Sequence, residues 1–170
     1  VPENYNAKQR SRVIKTTVRD VIDGAYLFID TDTVICKPLD DIDNLTCDMA
    51  AVPDGHLHLS ECMFPPTNSV NKIFKTDVSD SKYWFNSGVM FVADNELTRK
   101  FYKRWNENWT YSCFEKGQSQ DQPALLFTDK EFGYVITELS GIYNAQVAMS
   151  LKYFADAAIV HWWHMSFIEN

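Results

Sequence analysis

The sequence predicts an α/β fold, a mixed and mainly parallel sheet flanked by helices, on three observations. Two continuous apolar runs, Ala25–Ile29 and Gly88–Val92, have the composition of strands buried on both faces. Segments with apolar residues at helical spacing alternate with the strand-like segments, the order that covers a parallel sheet with helices. The length of 170 residues and the hydrophobic share of 45% suit one domain with its own core.

From the front, residues 6–23 form an amphipathic helix. Ile14, Thr17, Val18 and Val21 fall on one face, and Lys8, Arg12, Lys15 and Arg19 fall on another. Gly24 stops it, and the strand Ala25–Ile29 runs into Asp30-Thr31-Asp32. A short extended piece, Thr33–Cys36, precedes Pro38 and a helical turn over Leu39–Leu45. Asp48–Val52 is a small strand, and Pro53–Lys82, with Pro53, Pro65, Pro66 and Gly55, is a long loop. The second strong strand lies within Trp84–Ala93. Asp94 or Asn95 then caps a helix whose Leu97, Phe101, Trp105 and Trp109 repeat every fourth residue and face the core. A loop over Ser112–Ser119 leads to a helix that starts at Asp121-Gln122 with Pro123 in its first turn. Strands over Tyr134–Leu139 and Ala157–Trp163 complete the order.

Composition excludes several classes. A net charge of −7 argues against a chain that grips nucleic acid through its overall field. Apolar runs are short and interrupted, so no leader or membrane span is visible, which predicts a cytoplasmic protein, at most peripheral to a membrane. Cys36, Cys47, Cys62 and Cys113 lack metal-ligand spacing and read as reduced thiols.

Four local patterns are candidates for chemistry. Asp30 and Asp32 stand one residue apart at the carboxyl end of a buried strand, where open α/β sheets bind ligands. Their oxygens suit Mg²⁺ or Mn²⁺, or they cap amides of the turn. Asn86-Ser87-Gly88 opens a strand with a residue that lets a ligand come close, or it is a plain turn. Asp121-Gln122 places a carboxylate at a helix start, which complements the helix dipole with or without a catalytic role. His161 ends an apolar strand and either completes a metal site with the two Asp or is a core histidine bonded to backbone.

Taken in order, the motifs are an apolar strand, Asp-x-Asp, Pro-Leu-Asp-Asp-Ile, Ala-Ala-Val-Pro-Asp, Phe-Asn-Ser-Gly-Val-Met-Phe-Val, Asp-Gln-Pro-Ala-Leu and Ile-Val-His. This order, over Ala25 to about His164, resembles the glycogenin-like family of retaining glycosyltransferases with the GT-A fold. The resemblance implies that Asp30, Asp32 and His161 bind Mn²⁺ (or Mg²⁺), which bridges the diphosphate of a nucleotide-sugar donor, UDP-linked in this reading. Asn86, Ser87 and Gly88 would line the donor-sugar pocket, Asp121 and Gln122 would stand beside the anomeric carbon and sugar hydroxyls, and Arg12 would contact the donor. The acceptor would be a glycan or other hydroxyl compound, met through the variable loop Pro53–Lys82. Family members carry more chain before the metal strand, whereas 29 residues precede Asp30 here. The expectation is therefore one GT-A-like domain over residues 1–170 without the first part of the nucleotide-binding half. After His161, Trp162-Trp163-His164-Met165 stands where members often have a Gly and a Lys-Pro-Trp that grips phosphates, with His164 in the lysine's place.

Two other readings compete. Phe28-Ile29-Asp30-Thr31-Asp32-Thr33-Val34 also resembles the first motif of haloacid-dehalogenase phosphatases, though no later acidic pair supplies their second Mg²⁺ contact. A non-catalytic module binding carbohydrate or nucleotide through Trp84, Trp162 and Trp163 is the third.

Overall fold

The computed structural model describes residues 2–62 and 67–162. Helix α1, Ala7–Thr17, starts at Asn6, whose side chain accepts from the Gln9 amide while Gln9 answers to the Asn6 amide. A 3-10 turn, Val18–Asp20, follows, so the helix is shorter than its periodicity suggested. Its orientation also differs from the expectation. Lys15, Thr16 and Arg19 are buried, whereas Ile14 and Val21 are 57% and 81% exposed. Val13 and Val18 pack on the core, but the basic stripe is what turns inward.

The reason is that Arg12, Lys15 and Arg19 have partners inside, whereas Lys8 stays exposed. Arg19, fully buried, donates to the carbonyls of Gly24 (2.9 Å) and Ile22, lies 3.6 Å from Asp94, and stacks on the Tyr26 ring. Lys15 reaches the end of the first strand. A buried cation whose terminal nitrogens are partnered outweighs two or three exposed aliphatic side chains, because leaving it unpaired would cost several kcal/mol.

The main sheet has the order β1-β4-β3-β5, with β1 Tyr26–Ile29, β3 Met49–Pro53, β4 Phe85–Val92 and β5 Ile136–Glu138. β3 and β4 are buried along their whole length; β1 lies at the edge and is half-buried, less than its apolar run suggested. A second sheet, order β2-β7-β6, joins β2 Thr33–Ile35, β6 Ala145–Gln146 and β7 Ile159–His161. Both sheets are mixed. The pairs β3·β5 and β6·β7 are parallel, and β1·β4, β3·β4 and β2·β7 are antiparallel.

Helix α3, Glu96–Lys116, is capped by Asn95 and ends at Gly117 in the left-handed region, so it runs through the first half of the expected Ser112–Ser119 loop. Phe101, Tyr102, Trp105 and Trp109 from this helix meet Met49, Met90 and Val92 of the sheet and Leu125 of α4, Gln122–Glu131. A buried Trp contributes roughly 4–6 kcal/mol at ~25 cal/mol per Å², which makes this seam the main apolar support of the sheet. Among the described residues, the expected long loop holds 3-10 turns at Asp54–His56 and Leu59–Glu61 and an eight-residue helix, α2, Thr67–Phe74. Val70 of α2 packs with Leu59, Val78, Trp84 and Leu126.

Candidate active site

The site forms where β1, β4, β7 and the start of α4 come together. A defect in the sheet ladder shapes it. Ala51 of β3 pairs with Met90, but the next residue, Val52, pairs with Asn86, so residues 87–89 bulge out of register. Bulges re-aim side chains, and this one turns the consecutive Asn86 and Ser87 toward one cleft. On the other side the Asp30 amide donates to the Gly88 carbonyl (2.7 Å), which fixes the end of β1 against the bulge.

The Asp30-Thr31-Asp32 turn is held by Thr33 Oγ1 donating to the Asp30 carbonyl (2.7 Å) and by the Trp162 amide donating to the Asp32 carbonyl (2.9 Å). The second contact brings β7, with His161, beside the turn. One ligand atom each from Asp30, Asp32 and His161 lies within 4.8 Å of the others. Asp32 Oδ1 is 3.2 Å from His161 Nε2, and His161 Nδ1 is 2.9 Å from Asn144 Oδ1. Gly88 is required beneath the imidazole, since a Cβ there would lie 2.2 Å from His161 Cε1. Two carboxylates and an imidazole nitrogen in this arrangement fit a hard or borderline divalent cation such as Mn²⁺ or Mg²⁺.

A second cluster faces this one. Asp121, buried at the start of α4, meets Arg12 Nε (2.8 Å) and accepts from Ser87 Oγ (2.6 Å). Lys15 Nζ stands between the clusters, 2.8 Å from Asp30 Oδ2 and 3.8 Å from Asp121 Oδ2, and also donates to the Ser87 carbonyl (3.3 Å). The two acids respond differently. Burial raises the Asp30 pKa above the usual range, only partly countered by Lys15. Burial pushes Asp121 the same way, but Lys15, Arg12 and the Ser87 hydroxyl together bring its pKa below the usual range. For His161, burial lowers the pKa against the pull of Asp32 and Asp30.

Gln122 donates from Nε2 to Asp54 Oδ1 (3.2 Å) and the Phe85 carbonyl (3.3 Å). Asn86 Nδ2 donates to the same Asp54 oxygen (2.8 Å). Burial raises the Asp54 pKa, against the hydrogen bonds from Asn86 and Gln122.

Arg12, Asp30, Asp32, Asn86, Ser87, Gly88, Asp121, Gln122 and His161 thus line one open cleft of about 250 Å³, together with Lys15 and Ser11. His164, the remaining expected position, lies outside the described residues. Three residues escaped the sequence reading. Asp54 ends the Ala-Ala-Val-Pro-Asp motif at the carboxyl end of β3, a signal that could have found it. Lys15 belonged to the basic stripe of the first helix without being singled out as a site residue, and Asn144 carries no local signal.

A mixed sheet flanked by helices, with an Asp-x-Asp turn at the end of an edge strand, defines a GT-A-type glycosyltransferase fold. The family model described as glycosyl transferase family 8 matches residues 25–166, and the chain belongs to that family, to which the glycogenin-like enzymes also belong. No curated protein sequence matches at significance. Among solved structures, the galactosyltransferase LgtC, crystallised with donor and acceptor sugar analogs, shares 14% identity at a TM-score of 0.56, over 88% of this chain and 57% of that one. Mouse xyloside xylosyltransferase 1 in its apo form shares 14% identity (TM-score 0.53; 87% and 61%). A glycosyltransferase involved in glycosylation of the major capsid of PBCV-1 shares 14% (TM-score 0.52; 96% and 74%). The chain therefore spans about three-fifths of the first two. Family membership sets aside the haloacid-dehalogenase reading. No helix among the described residues is long and apolar enough to cross a membrane.

Proposed function

We propose that this chain carries the catalytic centre of a metal-dependent glycosyltransferase. It moves a hexose from a nucleotide-diphospho-sugar, UDP-linked, to a hydroxyl of a glycan or other acceptor with retention. The observation that carries this reading is the pairing of two clusters across one cleft: Asp30, Asp32 and His161 on one side, and Asp121 with its two cations on the other.

Asp30, Asp32 and His161 would hold Mn²⁺ or Mg²⁺. A divalent cation there stabilises the charge on the departing diphosphate without proton transfer. Arg12, Lys15 and Ser87 hold Asp121 as a carboxylate in a fixed position, and a buried carboxylate lowers the energy of an oxocarbenium-like reacting carbon. Gln122 gives its NH₂ group to Asp54 and Phe85, so its Oε1 is oriented to accept from a donor-sugar hydroxyl. Ser87 and Gly88 form the floor on which the sugar sits, and the segment Pro53–Lys82 offers the acceptor surface.

Hydrolysis of nucleotide-sugars in the absence of acceptor tests this. Release of UDP from a UDP-hexose should require Mn²⁺ or Mg²⁺, stop with chelator, and fall by roughly 10²–10³-fold in Asp121→Ala, the range for loss of a transition-state charge partner. Full activity in Asp121→Ala removes that residue from the mechanism. Metal-dependent nucleotide binding with no hydrolysis of any donor makes the chain a binding module instead.

A further inference from the structure

A second cavity, of about 210 Å³, opens beside the turn that follows β3. The turn serves both spaces. Asp54 accepts from Asn86 and Gln122 of the first cleft, whereas Pro53 and His56 line the second cavity. Asp54 and His56 are two residues apart, so their Cα atoms stand within about 7 Å. Buried Gln146 pins this turn: its Nε2 donates to the Pro53 carbonyl (3.0 Å), its Oε1 accepts from the Gly55 amide (2.9 Å), and its own amide donates to His56 Nε2 (3.2 Å). So held, His56 stands in the left-handed region at φ 60°, which costs a residue with a Cβ roughly 1–2 kcal/mol. Strain of this kind gathers where a fold presents a surface to a ligand.

The cavity offers carboxylate oxygens and fixed rings. Glu61 Oε2 accepts from the His58 amide (2.8 Å) and Glu138 Oε2 accepts from the Tyr83 hydroxyl, so Oε1 of each makes no hydrogen bond among the described residues. Tyr153 is set against Gly141, where a Cβ would lie 2.3 Å from the ring, and it meets His56 edge-on at 4.8 Å. At pH 8, above the ordinary imidazole range, the charged groups of the lining are Glu61 and Glu138 against Lys152.

A carboxylate only accepts, so the occupant must donate. An anion brings no proton to either Glu and adds like charge. A cation meets Lys152, and an apolar group leaves both carboxylates desolvated without a partner. An uncharged ring rich in hydroxyls satisfies them and packs its C–H surface on the tyrosines.

We propose that this cavity is a subsite for one uncharged sugar ring of the acceptor, with Glu61 and Glu138 accepting from its hydroxyls and the Pro53–His56 turn as the wall it shares with the donor cleft. That the ring belongs to the acceptor rests on the transferase reading above; its binding does not.

The test uses metal-free protein at pH 8 and neutral methyl glycosides of glucose, galactose, mannose and xylose. Ring signals of Tyr83 and Tyr153, assigned through Tyr83→Phe and Tyr153→Phe, should shift with at least one glycoside in the millimolar range. Methyl glucuronide should bind at least ~10-fold more weakly, as like charge at a recognition site requires. Glu138→Ala should weaken the glycoside by roughly 10–100-fold, the range for one hydrogen bond to a charged group. The same variant should raise the KM for that glycoside as acceptor and leave metal-dependent hydrolysis of UDP-hexose without acceptor unchanged, which also shows that it folds. No shift with any glycoside, equal binding of the glucuronide, or wild-type affinity in Glu138→Ala overturns the proposal. If the glycoside binds through Glu138 but no donor is hydrolysed, the sugar subsite stands and the transferase reading fails.

Discussion

At Gly88 backbone and site share the same space. Its missing side chain is the room occupied by His161, because the nearest ring atom would stand 2.2 Å from a Cβ. Gly88→Ala should therefore push the imidazole off Asp32. The forced contact should lower stability by ~1–3 kcal/mol, as overpacking does in dense interiors. Mn²⁺ affinity, followed by electron paramagnetic resonance of the free ion, should fall by at least ~10-fold, as when a ligand loses its orienting contacts. Unchanged affinity would show that the ring does not ligate from its present position. Lys15 acts at the same scale in the opposite sense. It lies between two carboxylates that would otherwise repel across the cleft, and it is why Asp121 ionises readily although buried.

Among elements, α4 and β5 are tied by one acid. Asp129, buried near the end of α4, accepts from the Ile136 amide (3.1 Å) at the start of β5. Burial raises its pKa to about 6, against hydrogen bonds from the Ile136 and Val135 amides. The native state thus holds the proton more tightly than the unfolded chain, whose value is near 3.8. The stability from this group is fully present below about pH 4 and is lost as pH rises through about 6. The loss is on the order of 3 kcal/mol for a shift of about two units. Asp129→Asn keeps the acceptor for Ile136 and has no charge to bury. Denaturant unfolding at about pH 4 and about pH 7.5 should show wild type losing ~3 kcal/mol relative to the variant between the two, at the order-of-magnitude level of linkage. Parallel pH profiles would mean that Asp129 is ionised without penalty. The same scale shows what a sequence can reveal. Strands β1 and β4 and the cap and Trp face of α3 are legible because each is a local pattern with one solution. The face of α1 is not. Its aliphatic stripe looks like a core face, but the decision lies with Asp30, Asp94, Asp121 and a ring of carbonyls elsewhere in the chain. The bulge in β4 is illegible for a similar reason, since it is a mismatch between two strands. So Asp30, Asp32, Asn86, Asp121 and His161 could be picked from motif context. Lys15 and Asn144 became visible only through their distant partners.

Across the whole molecule, charge and topology lead to one further expectation. The chain carries a net charge of −7, and two cationic side chains against three carboxylates leave the cleft itself net negative. A nucleoside diphosphate would meet repulsion there at every distance until a divalent cation reverses the local sign. The candidate ligands also come from separate parts of the architecture: Asp30 ends β1 of the four-stranded sheet, and His161 lies on β7 of the three-stranded one. An ion held by both joins the two sheets, and it binds only the folded chain, so its binding free energy adds to global stability. At one hundred times its dissociation constant, Mn²⁺ should stabilise the fold by about 2.7 kcal/mol. For a domain of this size that raises the unfolding midpoint by roughly 5–10 °C. UDP alone should give no shift, and UDP added after Mn²⁺ should give a further one. Differential scanning calorimetry with and without chelator reads all three conditions, with Asp32→Asn as the control that should lose the Mn²⁺ response. A shift with UDP in metal-free protein would show that Arg12 and Lys15 alone recruit the diphosphate, and the cation would then serve the chemical step rather than binding.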